Sequence, residues 1–214
     1  VYGEEASPRD VMQPMVTEDG VLIQGFFPGT DAAEVVVGKT SYPMILEDEA
    51  GYYAVMLPLK RIPEYRFRVT RGSMKETFYD AYECPCQITE EEEKAFCAGV
   101  YYKAYEKLGA HPGICGGVKG TYFAVWAPNA IRVSVVGDFD RWDGRRLPMH
   151  RMPMSGIFEL FVPGVQAGVS YQYEIKIKGG NVQRKSDPYG NGTQGAPSVI
   201  SVVTDLGDFS WQDE

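Results

Sequence analysis

"VLIQGFFPGTDAAEVVVG" at residues 21–38 and "TYFAVWAPNAIRVSVVG" at residues 121–137 follow one order of features. Each begins as an alternating strand and sets an aromatic two residues before Pro28 or Pro128. Each then makes a short polar turn and closes a Val-rich strand at Gly38 or Gly137. The correspondence continues outward. "GYYAVMLP" (51–58) matches "GIFELFVP" (156–163), "EYRFRV" (64–69) matches "SYQYEI" (170–175), and "YDAY" (79–82) matches "SDPY" (186–189). Landmarks that keep one order at similar spacing mark an internal duplication, so the chain reads as two copies of one module.

Within each copy, segments of four to eight residues rich in Val, Ile, Phe and Tyr alternate at period two, with Gly, Pro and Asp turns about every 8 to 12 residues. In "YQYEIKIKGGNVQRKSD", Tyr171, Tyr173, Ile175 and Ile177 share one strand face and Gln172, Glu174, Lys176 and Lys178 the other. Gly179-Gly180-Asn181 supplies the reversal. Roughly seven strands in about 90 residues fit an immunoglobulin-like sandwich. The expected fold is all-β: two tandem immunoglobulin-like antiparallel β-sandwiches joined by a connector helix. The boundaries are a tail at 1–15, a first sandwich at 16–86, the connector at 87–110, a second sandwich at 111–204 and a tail at 205–214.

The connector is read from "TEEEEKAFCAGVYYKAYEKLGAH". Thr89 and Glu92 stand in capping-box relation, and Gly109 sits where a glycine would end the helix. Phe96, Val100, Ala104 and Leu108 recur every four residues and form a stripe that must cover another surface. The glutamate run is then a solvated helix start. Trp126, at the position of Phe26 in the first copy, is expected in the core; Trp211 lies in the acidic C-terminal tail.

Composition narrows the function classes. With 214 residues and 44% hydrophobic content the chain can bury a substantial core. A formal charge of −8 disfavours a phosphate backbone as partner, and neutral polysaccharide makes no such electrostatic demand. No apolar run approaches the roughly 20 residues of a membrane span, and the N-terminus lacks the order of a secretory signal. The chain starts without Met and reads as a piece of a longer protein. Cys84, Cys86, Cys97 and Cys115 crowd its middle, which reads as reduced thiols of a cytoplasmic protein. Cys84-Pro85-Cys86 lacks the spacing of a zinc knuckle, and neither metal nor cofactor is expected.

The chemistry gathers in "VVGDFDRWDGRRLPM" (135–149), where an indole stands among acids and arginines. Asp138, Asp140 and Asp143 fail the calcium pattern, because Trp142 occupies a ligand position and no glutamate follows. Glycoside hydrolysis needs two carboxyls facing across a cleft, which one loop does not offer. Two uses remain open on chemistry alone. Trp142 can stack on a pyranose while polar neighbours bond its hydroxyls, or it can pack against a neighbouring domain, with Arg145 and Arg146 at the seam.

"GTYFAVWAPNAIRVSVVGDFDRWDGRRLPM", "SGIFELFVPGVQAGVSYQYEI" and "KSDPYG" resemble the family-48 carbohydrate-binding module of 1,4-α-glucan (glycogen) branching enzymes, over about residues 108–204. Residues 16–84 resemble the more divergent sandwich that precedes this module in longer bacterial members. The resemblance implies a non-catalytic N-terminal region whose partners are α-1,4/α-1,6 glucan (glycogen, amylose) and the catalytic (β/α) barrel of the same polypeptide. The equivalent region of a debranching relative is the alternative. No catalytic residue is expected here, since such a barrel takes about 250 residues of alternating strands and helices. Carried over residue by residue, it implies that Trp142 stacks on glucose, and the polar neighbours taken with it as carbohydrate-binding are Asp140 and Asn181. Arg145, Arg146, Asp187 and Tyr189 would then form the domain interface. Glu174 stands where glycogen-sensing relatives, the regulatory β-subunits of AMP-activated kinase, have a lysine, and Asn181 and Val182 stand where they have a second tryptophan.

Overall fold

A computed structural model describes residues 7–195, 197 and 199–207. After a short helix, α1 (Pro8–Met12), the first module comprises β1 (Met15–Val16), β2 (Val21–Phe26), β3 (Ala32–Val37), β4 (Thr40–Pro43), β5 (Ile45–Asp48), β6 (Tyr52–Leu57), β7 (Arg66–Arg71) and β8 (Met74–Phe78). Helix α2 (Glu90–Cys97) follows. The second module comprises β9 (Gly109–Cys115), β10 (Val118–Trp126), β11 (Ala130–Gly137), β12 (His150–Arg151), β13 (Ile157–Pro163), β14 (Ser170–Ile177), β15 (Val182–Lys185) and β16 (Ser201–Val202).

Each module is two antiparallel sheets. In the first their orders are β1-β2-β6-β5 and β4-β3-β7-β8; in the second they are β12-β13-β10-β9 and β11-β14-β15, with β16 also on β14. The duplication is therefore real in three dimensions: β2, β3, β6 and β7 reappear as β10, β11, β13 and β14. The two turns into β6 and β13 repeat as well. Gly51 (φ +108°) and Gly156 (φ +72°) take conformations that L side chains avoid, and a Cβ on either would stand 2.7 Å from the Cα of Pro28 or Pro128. Their carbonyls accept the amides of Phe27 (2.7 Å) and Ala127 (3.0 Å).

Period-two patterning buries one face of each sheet between the layers. The first core is built on Ile23, Val35, Tyr53, Phe67 and Val69, the second on Phe123, Val133, Val135, Phe158 and Tyr173. Strand β13, "IFELFVP", is apolar but for Glu159 and is buried from Ile157 to Val162, because both of its faces are covered. Its inward residues Phe158, Leu160 and Val162 enter the core, and Ile157 packs with Ile88, Leu108, Ala124 and Met152 beneath the connecting segment.

That segment departs from the sequence expectation. The helix ends at Cys97, not near Gly109, because Gly99 (φ +72°) closes it in a Schellman motif: Val100 N–H bonds Ala95 O (3.0 Å) and Gly99 N–H bonds Phe96 O (3.0 Å). Gly109 instead begins β9. The apolar stripe is split accordingly. Leu108 is buried and Phe96 and Ala104 are partly so, but Val100 is 52% exposed.

The glutamate run is only in part a solvated start. Glu92 completes the capping box with Thr89. Glu93 is buried, and its Oε1 accepts Met154 N–H (2.9 Å), Ser155 N–H (2.8 Å) and the Ser155 hydroxyl (2.9 Å). Trp126 is likewise not a core residue. It points outward, 53% exposed, with Phe96 edge-on to its ring and its Nε1–H on Ser155 O (2.9 Å). The inward parity of β10 falls instead on Thr121, Phe123 and Val125. Trp211 lies outside the described residues. The reading of four reduced thiols also fails, because Cys84 and Cys115 are joined in a disulfide, leaving Cys86 and Cys97 free. Among the described residues no helix is long and apolar enough to cross a membrane.

Candidate functional site

The loop after β11 is built around one aspartate. The backbone leaves β11 in a 3-10 turn, Asp138–Asp140, and then places Arg141 (φ 62°) and Trp142 (φ 58°) consecutively in the left-handed region. Two non-glycine residues there cost roughly 1–2 kcal/mol each. Asp140 offsets that strain. Its Oδ1 accepts Gly137 N–H and Trp142 N–H, both at 2.9 Å, and Trp142 N–H also reaches Gly137 O (2.9 Å). Asp140 is thus buried and turned into the loop, which corrects its expected sugar contact. Burial pushes its carboxyl up to about 7, against the pull of those two amides.

Trp142 is half-buried. Its Nε1–H donates to Asp138 Oδ1 (2.8 Å), which pins the pyrrole edge. Arg184 of β15 donates to Trp142 O (2.7 Å), and its guanidinium carbon lies 5.9 Å from the ring centroid. Arg184 pairs with Glu174 across the β14–β15 ladder, and Glu174 also binds Arg132 (2.7 Å). The carboxylate standing at the relatives' lysine position is therefore held between two guanidiniums. Asn181 is exposed at the tip of the same hairpin, where its carbonyl closes the turn by accepting Ile177 N–H (3.1 Å).

The expected seam residues separate. Arg145 is exposed and forms a two-pronged pair with Asp143 (Nε 2.9 Å, Nη2 2.7 Å). Arg146 is half-buried and donates to Asp140 O (3.2 Å). Asp187 is no interface residue: it is buried and accepts the hydroxyls of Tyr171 (2.6 Å) and Tyr173 (3.1 Å) and the amide of Tyr189 (2.8 Å). Tyr189 remains 40% exposed.

Sequence reading passed over Arg184, Asp138 and the contact between the modules. The first was recoverable, since counting back from Gly179-Gly180 sets Arg184 opposite Glu174. Arg141 reaches Glu76 of β8 (2.5 Å), and the Tyr82 hydroxyl donates to Pro148 O (2.9 Å), so the loop's inner side lies on the first module. No sequence pattern announces either contact.

Fold and loop together define a tandem of immunoglobulin-like sandwiches whose second member displays a tryptophan on a braced loop. Residues 107–190 match the family model for carbohydrate-binding module 48 (isoamylase N-terminal domain), and residues 1–82 match that for the N-terminal domain of alpha-1,4-glucan branching enzyme GlgB. The 1,4-alpha-glucan branching enzyme GlgB of Nostoc sp. is 38% identical over 90% of this chain and 26% of its own length. That of Synechococcus sp. (strain JA-3-3Ab) is 38% identical over 100% of this chain and 30% of its own. Among solved structures, a pullulanase from Anoxybacillus sp. complexed with maltotriose aligns over 91% of this chain and 28% of its own, at 19% identity and a TM-score of 0.39. The chain belongs to the N-terminal, module-48-bearing part of the 1,4-alpha-glucan branching enzyme family. It spans less than a third of the length of these curated relatives.

Proposed function

We propose that this chain is a non-catalytic glucan-positioning region of a cytoplasmic branching enzyme. It holds α-1,4 glucan near a catalytic barrel supplied by the rest of the polypeptide and raises the polymer's effective concentration there. The observation that carries the reading is the Trp142 indole, fixed at its edge by Asp138 and at its backbone by Arg184, and left half-exposed. A ring immobilised before binding loses little entropy when the apolar face of a pyranose stacks on it. Asn181, on the adjoining hairpin, is the polar neighbour for sugar hydroxyls.

A single surface stack gives a Kd on the order of 0.1 to 1 mM. Native gels cast with glycogen or amylose test it. The wild-type chain is retarded and Trp142→Ala runs free; equal retardation of the two removes Trp142 from the reading. A bracing role on the barrel is the second reading, favoured by Glu174, a carboxylate at the position of the expected lysine that ties up Arg132 and Arg184 in ion pairs. It expects no retardation in glycogen gels, and association with separately produced barrel in ultracentrifugation.

A further inference from the structure

A cavity of about 560 Å³ opens between the two sandwiches, beside the loop that carries Trp142, and Trp142 is not among its lining residues. Phe26, Tyr52 and Phe78 line it from the first module, and Phe139, Arg146 and Leu147 from the second. The volume lies within the roughly 300–1,000 Å³ of small-molecule sites, which concentrate at domain junctions. All four aromatic rings are half-buried, so each still presents surface to the cavity.

Charge at this junction is unbalanced. Glu76 is engaged on both oxygens, by Arg71 (2.8 Å) and by Arg141 (2.5 Å). Arg146 is not matched in this way: among the described residues no carboxylate lies within 4.0 Å of it, and it bonds a carbonyl, Asp140 O. Burial, followed by the charge of Arg71, lowers its affinity for its own proton. Burial raises the nearby Asp140 carboxyl, which weakens it as a compensating charge. Asp140 and Glu76 offset this only at a distance, without an ion pair to Arg146; a guanidinium half-removed from water and not directly paired is costly, and a bound anion relieves that cost. Its planar fork matches phosphate oxygens two at a time.

We infer that the inter-sandwich cleft binds a sugar phosphate, with the phosphate on Arg146 and the pyranose against the aromatic wall. Thr77 lines the same space and is a candidate partner for sugar hydroxyls, while the hydroxyls of Tyr52 and Tyr79, also in the lining, are engaged with Gln24 and Arg66. The same chemistry could arrive as a free sugar phosphate or as a phosphate ester carried on a glucan.

Calorimetric titration of the whole chain tests it with glucose 1-phosphate, phosphorylated maltotriose, inorganic phosphate, maltotriose and adenosine monophosphate. Glucose 1-phosphate binds, more tightly than inorganic phosphate, and binding weakens as salt is raised. Arg146→Gln lowers that affinity by about tenfold or more, Arg146→Lys gives an intermediate loss because charge remains without the fork, and Trp142→Ala changes nothing. In the Trp142→Ala background, tighter binding of phosphorylated maltotriose identifies an ester on glucan as the source, and tighter binding of glucose 1-phosphate a free sugar phosphate. Absence of heat with both sugar phosphates, equal affinity in wild type and both Arg146 variants, or, in the Trp142→Ala background, binding of maltotriose equal to that of glucose 1-phosphate overturns the site. Preference for adenosine monophosphate or parity with inorganic phosphate overturns the sugar assignment. Because Trp142→Ala is neutral here and decisive in the glycogen gels, the two readings fail separately.

Discussion

At the scale of single residues, the two modules share a buried tyrosine–aspartate pair. Tyr65 donates to Asp80 (2.6 Å) and Tyr171 to Asp187 (2.6 Å), and each aspartate's second oxygen accepts the amide two residues on, at Tyr82 or Tyr189, both at 2.8 Å. This is the physical content of the "YDAY" and "SDPY" landmarks. A sequence shows that the two strings align, but it does not show that their aspartates turn inward. Burial pushes the Asp80 carboxyl up to about 7 against the pull of Tyr65 and Tyr82, and it raises Asp187 as well. The folded state therefore keeps a proton that the unfolded chain, with an aspartate near 3.9, has released. Stability from this group is greatest at low pH and falls as pH rises from about 4 to about 7, then levels off. Asp80→Asn stays neutral and can bond both partners, so its unfolding free energy should be flatter over this window, by up to about 1.4 kcal/mol per pH unit. Urea titrations of wild type and variant between about pH 5 and pH 8 measure it; parallel pH profiles would show that Asp80 is ionised in the fold.

At the scale of elements, helix α2 shows why amphipathic patterning alone gave the wrong length. The four-residue repeat from Phe96 to Leu108 is genuine, but Gly99 interrupts it and the chain re-enters the surface in a 3-10 turn, Ala104–Glu106. A repeat of apolar residues reports which surface is covered and not that one continuous helix covers it. The helix is fastened by a charge that the pattern assigned to solvent. Glu93 gathers three donors from residues 154 and 155, and Ser155 in turn accepts Ile157 N–H (3.2 Å), so the start of β13 and the helix are tied together. Glu93→Ala leaves two amides and a hydroxyl without this acceptor and should cost about 3 kcal/mol. Glu93→Gln keeps an acceptor oxygen and should lose less than half as much. Guanidinium unfolding monitored by fluorescence measures both, and equal losses would mean that packing volume, not hydrogen bonding, holds the helix.

At the scale of the whole molecule, the duplicated sandwiches were legible because strand periodicity and turn glycines are local signals, repeated twice in register. Trp142 was legible as a candidate because an indole in a charged loop is compositionally unusual. Its support from Arg184, the inward turn of Asp140 and the cavity facing Arg146 were not, since each depends on residues brought together across the fold. The cysteines failed for the same reason: Cys84 follows the first module and Cys115 ends the edge strand of the second, and their spacing gives no hint that these points meet. The bridge closes a segment of 31 residues in sequence separation that contains α2 and covers the outer face of β10 and β13. In the chain-entropy account, closing such a loop is worth about 3 to 4 kcal/mol, or roughly 10 °C in Tm for a chain of this size. Cys86 is a poor competitor for the bridge. Burial, with the Glu159 carboxylate adding to it, pushes its thiol up to about 12, so little thiolate is present to attack Cys84 or Cys115. Exposed Cys97 should therefore alkylate first, Cys86 slowly, and Cys84 and Cys115 only after reduction. Scanning calorimetry with and without a dithiol reductant should show the expected fall in Tm, and Cys84→Ser should start at the lower value and ignore the reductant. A reductant-insensitive wild-type melting curve would mean that the two thiols stand close without being joined, and that the covering segment is held without a bridge, by Glu93, by the Gln87 and Ile88 amides on Glu159 and by the Ile88–Leu108 contacts.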